Sequence, residues 1–146
     1  MKRLIRVAAA GIVFAVMTTG CAVNKATANV DPSAKLDTVK VVHVKPYGDA
    51  DNTTDKLIAD NLKARGYKVS TGKEPPGSVD ALVTYVDKWM WDITMYMLEL
   101  TIQFRDPKTD YPVATGHSMH TSLTRLSPPA MVDEVLGNII KEGKKK

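Results

Sequence analysis

The apolar positions of residues 38–146 recur with two different periods. Alternation at every second position, rich in β-branched and aromatic residues, predicts five strands. These are Thr38–Lys45, Tyr67–Thr71, Ala81–Val86, Tyr96–Phe104 and Val113–Thr121. Helical spacing predicts one helix with a stripe of Leu57, Ile58 and Leu62, and a second with Met131, Val132, Val135, Leu136, Ile139 and Ile140. The predicted order is β-α-β-β-β-β-α.

The strand predicted from Tyr96 to Phe104 has the clearest alternation. Tyr96, Leu98, Leu100, Ile102 and Phe104 fall on one face, and Met97, Glu99, Thr101, Gln103 and Arg105 fall on the other. Such a strand buries one face only, so we expect the two helices to cover that face together. The sequence therefore predicts an α+β two-layer sandwich. Its mostly antiparallel sheet has four to five strands, of which the last three form a meander.

Several residues mark where these elements end. Gly66 follows the first helix at the position that favours a left-handed conformation. Residues 106–110 predict a hairpin connection in which Asp110 adopts that conformation. Ser127 predicts the N-cap of the second helix, with Pro128 at its first position.

The first 21 residues have a different composition. Lys2, Arg3 and Arg6 precede an apolar run over residues 7–17, and small residues then lead to Cys21, the single cysteine of the chain. The run is short for a membrane span and has the layout of a secretory signal over residues 1–20. An ordinary secretory signal or a retained helix would share part of this layout.

Residues 18–21, TTGC, resemble the lipobox of bacterial lipoproteins, with Thr18 where that family prefers Leu. The resemblance implies cleavage before Cys21 and acylation of this cysteine, which anchors the chain in a lipid bilayer. Ala22 is not the aspartate that typically retains such proteins in the inner membrane, so the resemblance implies the outer membrane and a periplasm-facing domain. The polar residues 22–37 predict a flexible tether after Cys21, and residues 38–146 predict a single periplasmic domain.

Charge excludes one class of partner. The chain has 20 Lys and Arg against 16 Asp and Glu, but three of the basic residues lie within residues 1–20. The mature part therefore has 17 basic against 16 acidic residues. This balance, together with the predicted compartment, argues against nucleic-acid binding.

A second resemblance covers residues 80–125. Small uncharacterised bacterial envelope lipoproteins share an Asp-x-Trp-x-Trp-Asp stretch, a Met-Tyr pair, alternating leucines, a hairpin and an Ala-x-Gly. Here these positions are Asp87, Trp89, Trp91, Asp92, Met95, Tyr96, Leu98, Leu100, Asp106, Thr109, Ala114 and Gly116, with Asp110 where the family usually has Gly. The resemblance implies an envelope lipoprotein and no assigned activity.

Candidate catalytic and metal-binding groups are sparse. His117 and His120 lie three apart on a predicted strand, which points them to opposite faces, and His43 belongs to another strand. Asp87 and Asp92 flank the tryptophans and could form a glycosidase-like pair. A chain of this size has little left to build the walls of a substrate cleft. We therefore expect no enzyme activity, no metal and no cofactor.

Trp89 and Trp91 are the only tryptophans of the chain and lie close to the predicted chain reversal within residues 87–95. Either they cover one end of the core, with Asp92 accepting amide hydrogens of the turn, or they form an exposed binding patch together with Asp92 and Met95. The sequence thus predicts a non-enzymatic envelope lipoprotein with a protein partner. The alternative is a small sugar- or peptide-binding protein, or a hydrolase, that uses the two tryptophans as a stacking platform.

Overall fold

The computed structural model describes residues 23–48 and 53–145. The predicted signal (1–20) and the lipidation site Cys21 lie outside these ranges. In the part of the chain that is described, no helix is long and apolar enough to cross a membrane.

The described residues form six strands and two helices. The strands are β1 (Asn24–Val30), β2 (Val41–Val44), β3 (Lys68–Thr71), β4 (Ala81–Asp92), β5 (Thr94–Arg105) and β6 (Pro112–His120). The helices are α1 (Thr53–Ala64) and α2 (Pro128–Gly143). Short 3-10 turns lie at Leu36–Thr38 and Ser122–Thr124.

All six strands join one sheet in the order β1-β6-β5-β4-β2-β3. The predicted meander is confirmed, since β4, β5 and β6 pair antiparallel in sequence order. β2 pairs parallel with β3, because α1 crosses over between them. It also pairs parallel with β4, which residues 72–80 connect to β3. The α+β class is confirmed, but the sheet is mixed and has six strands rather than four to five.

β1 is the additional strand, and it lies inside the segment that we expected to be a flexible tether, residues 22–37. It pairs antiparallel with β6 along its whole length, from Asn24 opposite His120 to Val30 opposite Ala114. Its small side chains show no apolar period, yet Val30 is 1% exposed and Ala28 packs against the core. The tether prediction is therefore wrong for residues 24–30, because backbone pairing to β6 orders a strand that composition alone does not reveal.

Both helices pack on one face of the sheet and bury the predicted stripes. Side chains of β4 and β5 that meet them include Val83, Tyr85, Leu100, Ile102 and Phe104. Gly116 on β6 lies directly beneath α2. A Cβ atom there would come within 2.8 Å of side-chain atoms of Val135 and Ile139, so this glycine allows the close approach of helix and strand.

Among residues 23–48 and 53–145, no helix packs on the opposite face of the sheet, which is the open face. One register shift changes which residues reach it. Lys88 pairs with Glu99 but Trp89 pairs with Met97, so Leu98 is the extra residue of a bulge. Met97 therefore lies in the core, 0% exposed, while Tyr96 and Leu98 lie outside the core cluster. The prediction that Tyr96 and Leu98 share the core face with Leu100 is wrong for this reason.

The predicted turns and caps are confirmed. Gly66 has φ +94° after α1, and Asp110 has φ 57° in the β5–β6 hairpin. The carboxylate of Asp106 accepts the backbone N–H groups of Lys108 and Thr109 at 2.9 and 2.8 Å, which holds this hairpin closed. The hydroxyl of Ser127 accepts from the N–H of Ala130 at 3.4 Å as the N-cap of α2.

Candidate functional site

The β4–β5 hairpin extends past the end of the helical layer and ends in a tight turn. Asp92 and Thr94 pair directly, and Ile93 between them has φ 62°. A β-branched residue in this left-handed region is strained, because its side chain crowds the backbone. Residues 89–95, the hairpin tip, contain the stretch for which the sequence left a core role and a binding role open.

Most of the hairpin tip is exposed and apolar. The exposed fractions are 71% for Trp91, 86% for Ile93 and 61% for Met95. Trp89 is 39% exposed and donates its indole N–H to Asp87 Oδ2 at 2.9 Å. Trp91 therefore does not cover the end of the core, and Trp89 does so only in part. Isolated exposed apolar residues are ordinary, but a contiguous group of this kind marks an interaction surface.

The two tryptophans lie on the same side of the hairpin, as their spacing predicts. That side is the helix side, since Asp87, two residues before Trp89, accepts a hydrogen bond from Thr54 Oγ1 at the start of α1 at 2.7 Å. Trp91 pairs across the hairpin with Met95, and Trp89 pairs with Met97. Aromatic and methionine side chains thus form cross-strand pairs that begin in the core and end in solvent.

Asp92 contacts the segment that follows β6. It accepts a short hydrogen bond from the hydroxyl of Ser122, and its carboxylate lies 3.8 Å from the guanidinium of Arg125. Five positions along one strand place Asp87 and Asp92 on opposite faces. Asp87 and Asp92 therefore do not converge on one cleft, and a glycosidase-like pair is not formed by these two residues.

Arg125 ties the hairpin tip to the segment that follows β6. Its guanidinium lies over the ring of Tyr96, 4.5 Å from the centroid. It also donates to Thr94 Oγ1 at 2.8 Å and to the backbone oxygen of Ser122 at 3.1 Å. These contacts hold the base of the tip rigid on one side while the tryptophan side stays open.

The three histidines lie in separate environments. His117 faces the open side, 4.0 Å from Glu99, whereas His120 is 1% exposed and faces α2, so the prediction of opposite faces is confirmed. His43 is also buried, and its ring nitrogens bond Ser70 Oγ and the oxygen of Gly72 at 2.8 Å each. Within residues 23–48 and 53–145, no three His, Cys, Asp or Glu side chains form a metal-binding group.

A polar cluster beneath α2 was missed by the sequence analysis. Glu134 Oε2 accepts hydrogen bonds from Ser118 Oγ and His120 Nε2, the latter at 2.9 Å, while His120 Nδ1 contacts the oxygen of Thr124. Burial acts to raise the pKa of Glu134, but the hydrogen bonds from Ser118 and His120 and the charge of His120 outweigh it, so this pKa is lowered. Ser118 and His120 follow Ala114 and Gly116 at every second position, so all four lie on the helix-facing side of β6. The sequence shows this spacing, but it does not show that Glu134 on α2 is the partner of Ser118 and His120.

A groove elsewhere on the domain contains none of the predicted site residues. Leu36, Tyr67 and Ile140 line it, together with the C-terminal end of α2. Burial raises the pKa of the Tyr67 hydroxyl, with an opposing effect from Arg65. Asp37, Lys40 and Arg65 also line this groove, so its walls combine apolar and charged side chains.

Comparison with known proteins gives a fold likeness only. No protein-family model and no curated protein matches the chain. Two solved PelC dodecamers from Paraburkholderia phytofirmans match 83% of this chain and 97% of their own, at 13% and 12% identity with TM-scores of 0.57 and 0.55. A DUF4136 family protein from Bacteroides thetaiotaomicron matches 81% of this chain and 95% of its own, at 11% identity with a TM-score of 0.51. At these identities the structures share an architecture with this chain.

Proposed function

We propose that this chain is a non-enzymatic accessory lipoprotein of the bacterial envelope. Acylated Cys21 anchors it in the outer membrane, and its domain faces the periplasm and binds a protein partner. The resemblance of residues 18–21 to a lipobox supports the anchor. Because β1 begins at Asn24, three residues after Cys21, this anchor would hold the domain at the membrane surface.

The observation that carries the proposed protein contact is the open face of the sheet. Both helices pack on the other face, so in the described part of the chain this broad surface has no helix on it. Its members include Thr84, Val86, Thr101, Gln103, Thr115 and His117, all of them partly exposed, with Val86 at 42%. A mixed surface of this kind matches ordinary protein interfaces, which are about as apolar as the rest of a protein surface.

The fold likeness supports the same proposal. The PelC structures are dodecamers, so in that protein the shared architecture coexists with protein–protein contacts. We propose that a protein partner binds the open face of this chain, and that it is either another envelope protein or a second copy.

Site-specific photo-crosslinking tests the proposed protein contact. A photoreactive residue at Thr101 probes the open face, and one at Lys141, an exposed position on α2, is the matched control. We expect a discrete protein adduct from Thr101 in intact cells, no adduct from Lys141, and loss of the Thr101 adduct on Val86→Lys. Equal yields from both positions, or no adduct from Thr101, would contradict the proposal. Turnover of isolated peptidoglycan by the purified chain would contradict its non-enzymatic part.

A further inference from the structure

The start of the domain and the hairpin tip lie at the same end of the sheet. Asn24, the first residue of β1, pairs with His120, the last residue of β6. On β6 the preceding residue, Met119, pairs with Glu99 of β5, so the level of Asn24 is that of Leu98. β4 and β5 continue beyond this level to the turn at Ile93, on the side where Val23 precedes Asn24.

Direct contacts join these two parts of the chain. Val23 donates its N–H to Thr121 Oγ1 at 3.2 Å and accepts from Thr124 Oγ1 at 2.9 Å. The next residue, Arg125, donates to Thr94 Oγ1 in the hairpin tip at 2.8 Å. Residues 121–125 therefore connect the N-terminal end of the domain to the hairpin tip. These contacts fix the hairpin tip relative to Val23.

Chain length sets how far the tip can stand from the lipid anchor. From Leu98 to Ile93 the hairpin extends about 13 Å, because four residues remain at 3.3–3.4 Å each once one of the five is lost to the bulge. The three residues from Asn24 back to Cys21 span at most about 10 Å when fully extended. Ile93 thus reaches at least about 3 Å beyond the most distant level open to the Cys21 Cα along the strand direction. Any shorter path from Asn24 to Cys21 raises this excess toward the thickness of the headgroup layer of one leaflet, about 5–7 Å.

The chemistry of the hairpin tip matches the boundary between headgroups and acyl chains. Trp91, Ile93 and Met95 are its most exposed side chains, and tryptophan is enriched at that boundary because its ring is apolar and its N–H is polar. Ile93 is 86% exposed in a strained conformation, so the fold holds this apolar side chain outward without any packing within the domain. Asp92 is the carboxylate next to Ile93 in the chain. It accepts a hydrogen bond from Ser122 and pairs with the guanidinium of Arg125.

We propose that the hairpin tip inserts into the headgroup–acyl boundary of the membrane that holds Cys21. The chain then has two membrane contacts, one covalent and one through Trp91, Ile93 and Met95, and these fix the orientation of the domain. The open face of the sheet stands along the membrane normal, accessible to a partner from the side. This inference rests on the proposed lipid anchor, and it assigns the tryptophan patch to lipid rather than to protein or sugar.

Tryptophan fluorescence tests the insertion, because both tryptophans of the chain lie in the hairpin tip. The full lipidated chain is reconstituted into vesicles of phosphatidylethanolamine and phosphatidylglycerol, with or without phosphatidylcholine brominated near the headgroup. We expect blue-shifted emission, strong quenching by the brominated lipid and protection from aqueous acrylamide. Ile93→Asp should abolish the bromine quenching, whereas Tyr111→Asp, at a position 56% exposed beside the β5–β6 hairpin, should leave it unchanged. Aspartate tolerates the φ of residue 93, so the first variant should fold, and far-UV circular dichroism checks this.

Flotation of the same vesicles separates the possible failures. A chain that floats with its vesicles but shows no bromine quenching overturns tip insertion and leaves the lipid anchor standing. A chain that does not float overturns both the anchor and the insertion. Emission that shifts to the blue only on adding peptidoglycan fragments or a purified partner protein overturns insertion in favour of a sugar or protein occupant.

Discussion

Ile93→Asn should stabilise the protein although it replaces an apolar residue with a polar one. Ile93 has φ 62°, and a left-handed conformation costs an L-residue about 1–2 kcal/mol. Asparagine visits this region more readily because its short side chain hydrogen-bonds locally. Since Ile93 is 86% exposed, the substitution sacrifices little buried surface. We expect a net gain of about 1 kcal/mol, which for a domain of this size is a rise in Tm of about 3–5 °C.

Thermal unfolding followed by circular dichroism measures this gain, with Ile93→Val as the matched control. Valine keeps the branched Cβ and hence the strain, so its Tm should stay within about 1 °C of the natural chain. A Tm for Ile93→Asn at or below that of the natural chain would refute the strain argument. Ile93→Asn should also lose the quenching of its tryptophans by brominated lipid. Its stability should therefore rise while its membrane contact is lost.

Three further predictions concern the rest of the domain. Gly116→Ala should cost about 1–3 kcal/mol in denaturant unfolding, because its Cβ would lie 2.8 Å from Ile139 Cγ1 and 2.9 Å from Ile139 Cδ1. Ile139→Val, which removes Cδ1, should recover part of the loss. The lowered pKa of Glu134 stabilises the fold above its unfolded value near 4.5, and this stability is lost as the pH falls through the folded pKa. In Glu134→Gln, the free energy of unfolding should therefore fall by about 1 kcal/mol less as the pH is lowered. The effect is this small because Glu134 is partly exposed. Arg125→Lys should speed amide hydrogen exchange at residues 94–96, because lysine cannot reproduce the guanidinium contacts.

The patterned half of the fold could be predicted because each element has its own strong signal. Both helices have continuous apolar stripes, and the meander has long alternating strands with a recognisable turn at residues 106–110. β1 could not be predicted this way, since an edge strand with small side chains needs only backbone partners and one or two buried residues such as Val30. The parallel pairing of β2 depends on the path of α1, which no local period encodes.

The candidate site could be predicted only in part. Sequence placed the tryptophans near the chain reversal and on one face, which the structure bears out. Their exposure depends on how far the hairpin extends beyond α1 and α2, and helix position is a tertiary property. The bulge at Leu98 likewise inverts the faces of Tyr96 and Met97, because a single unpaired residue is invisible to a period-two pattern.

The most direct test of the account is the intact mass of the mature chain purified from membranes. We predict a chain that begins at Cys21, lacks residues 1–20, and is heavier than its sequence by two or three acyl chains and a glyceryl group. Cys21→Ser should remain unprocessed and unmodified. A chain that retains residues 1–20, or one that begins near Cys21 with a free thiol and a free amino terminus, would contradict the lipid anchor on which both the proposed function and the membrane contact of the hairpin tip depend.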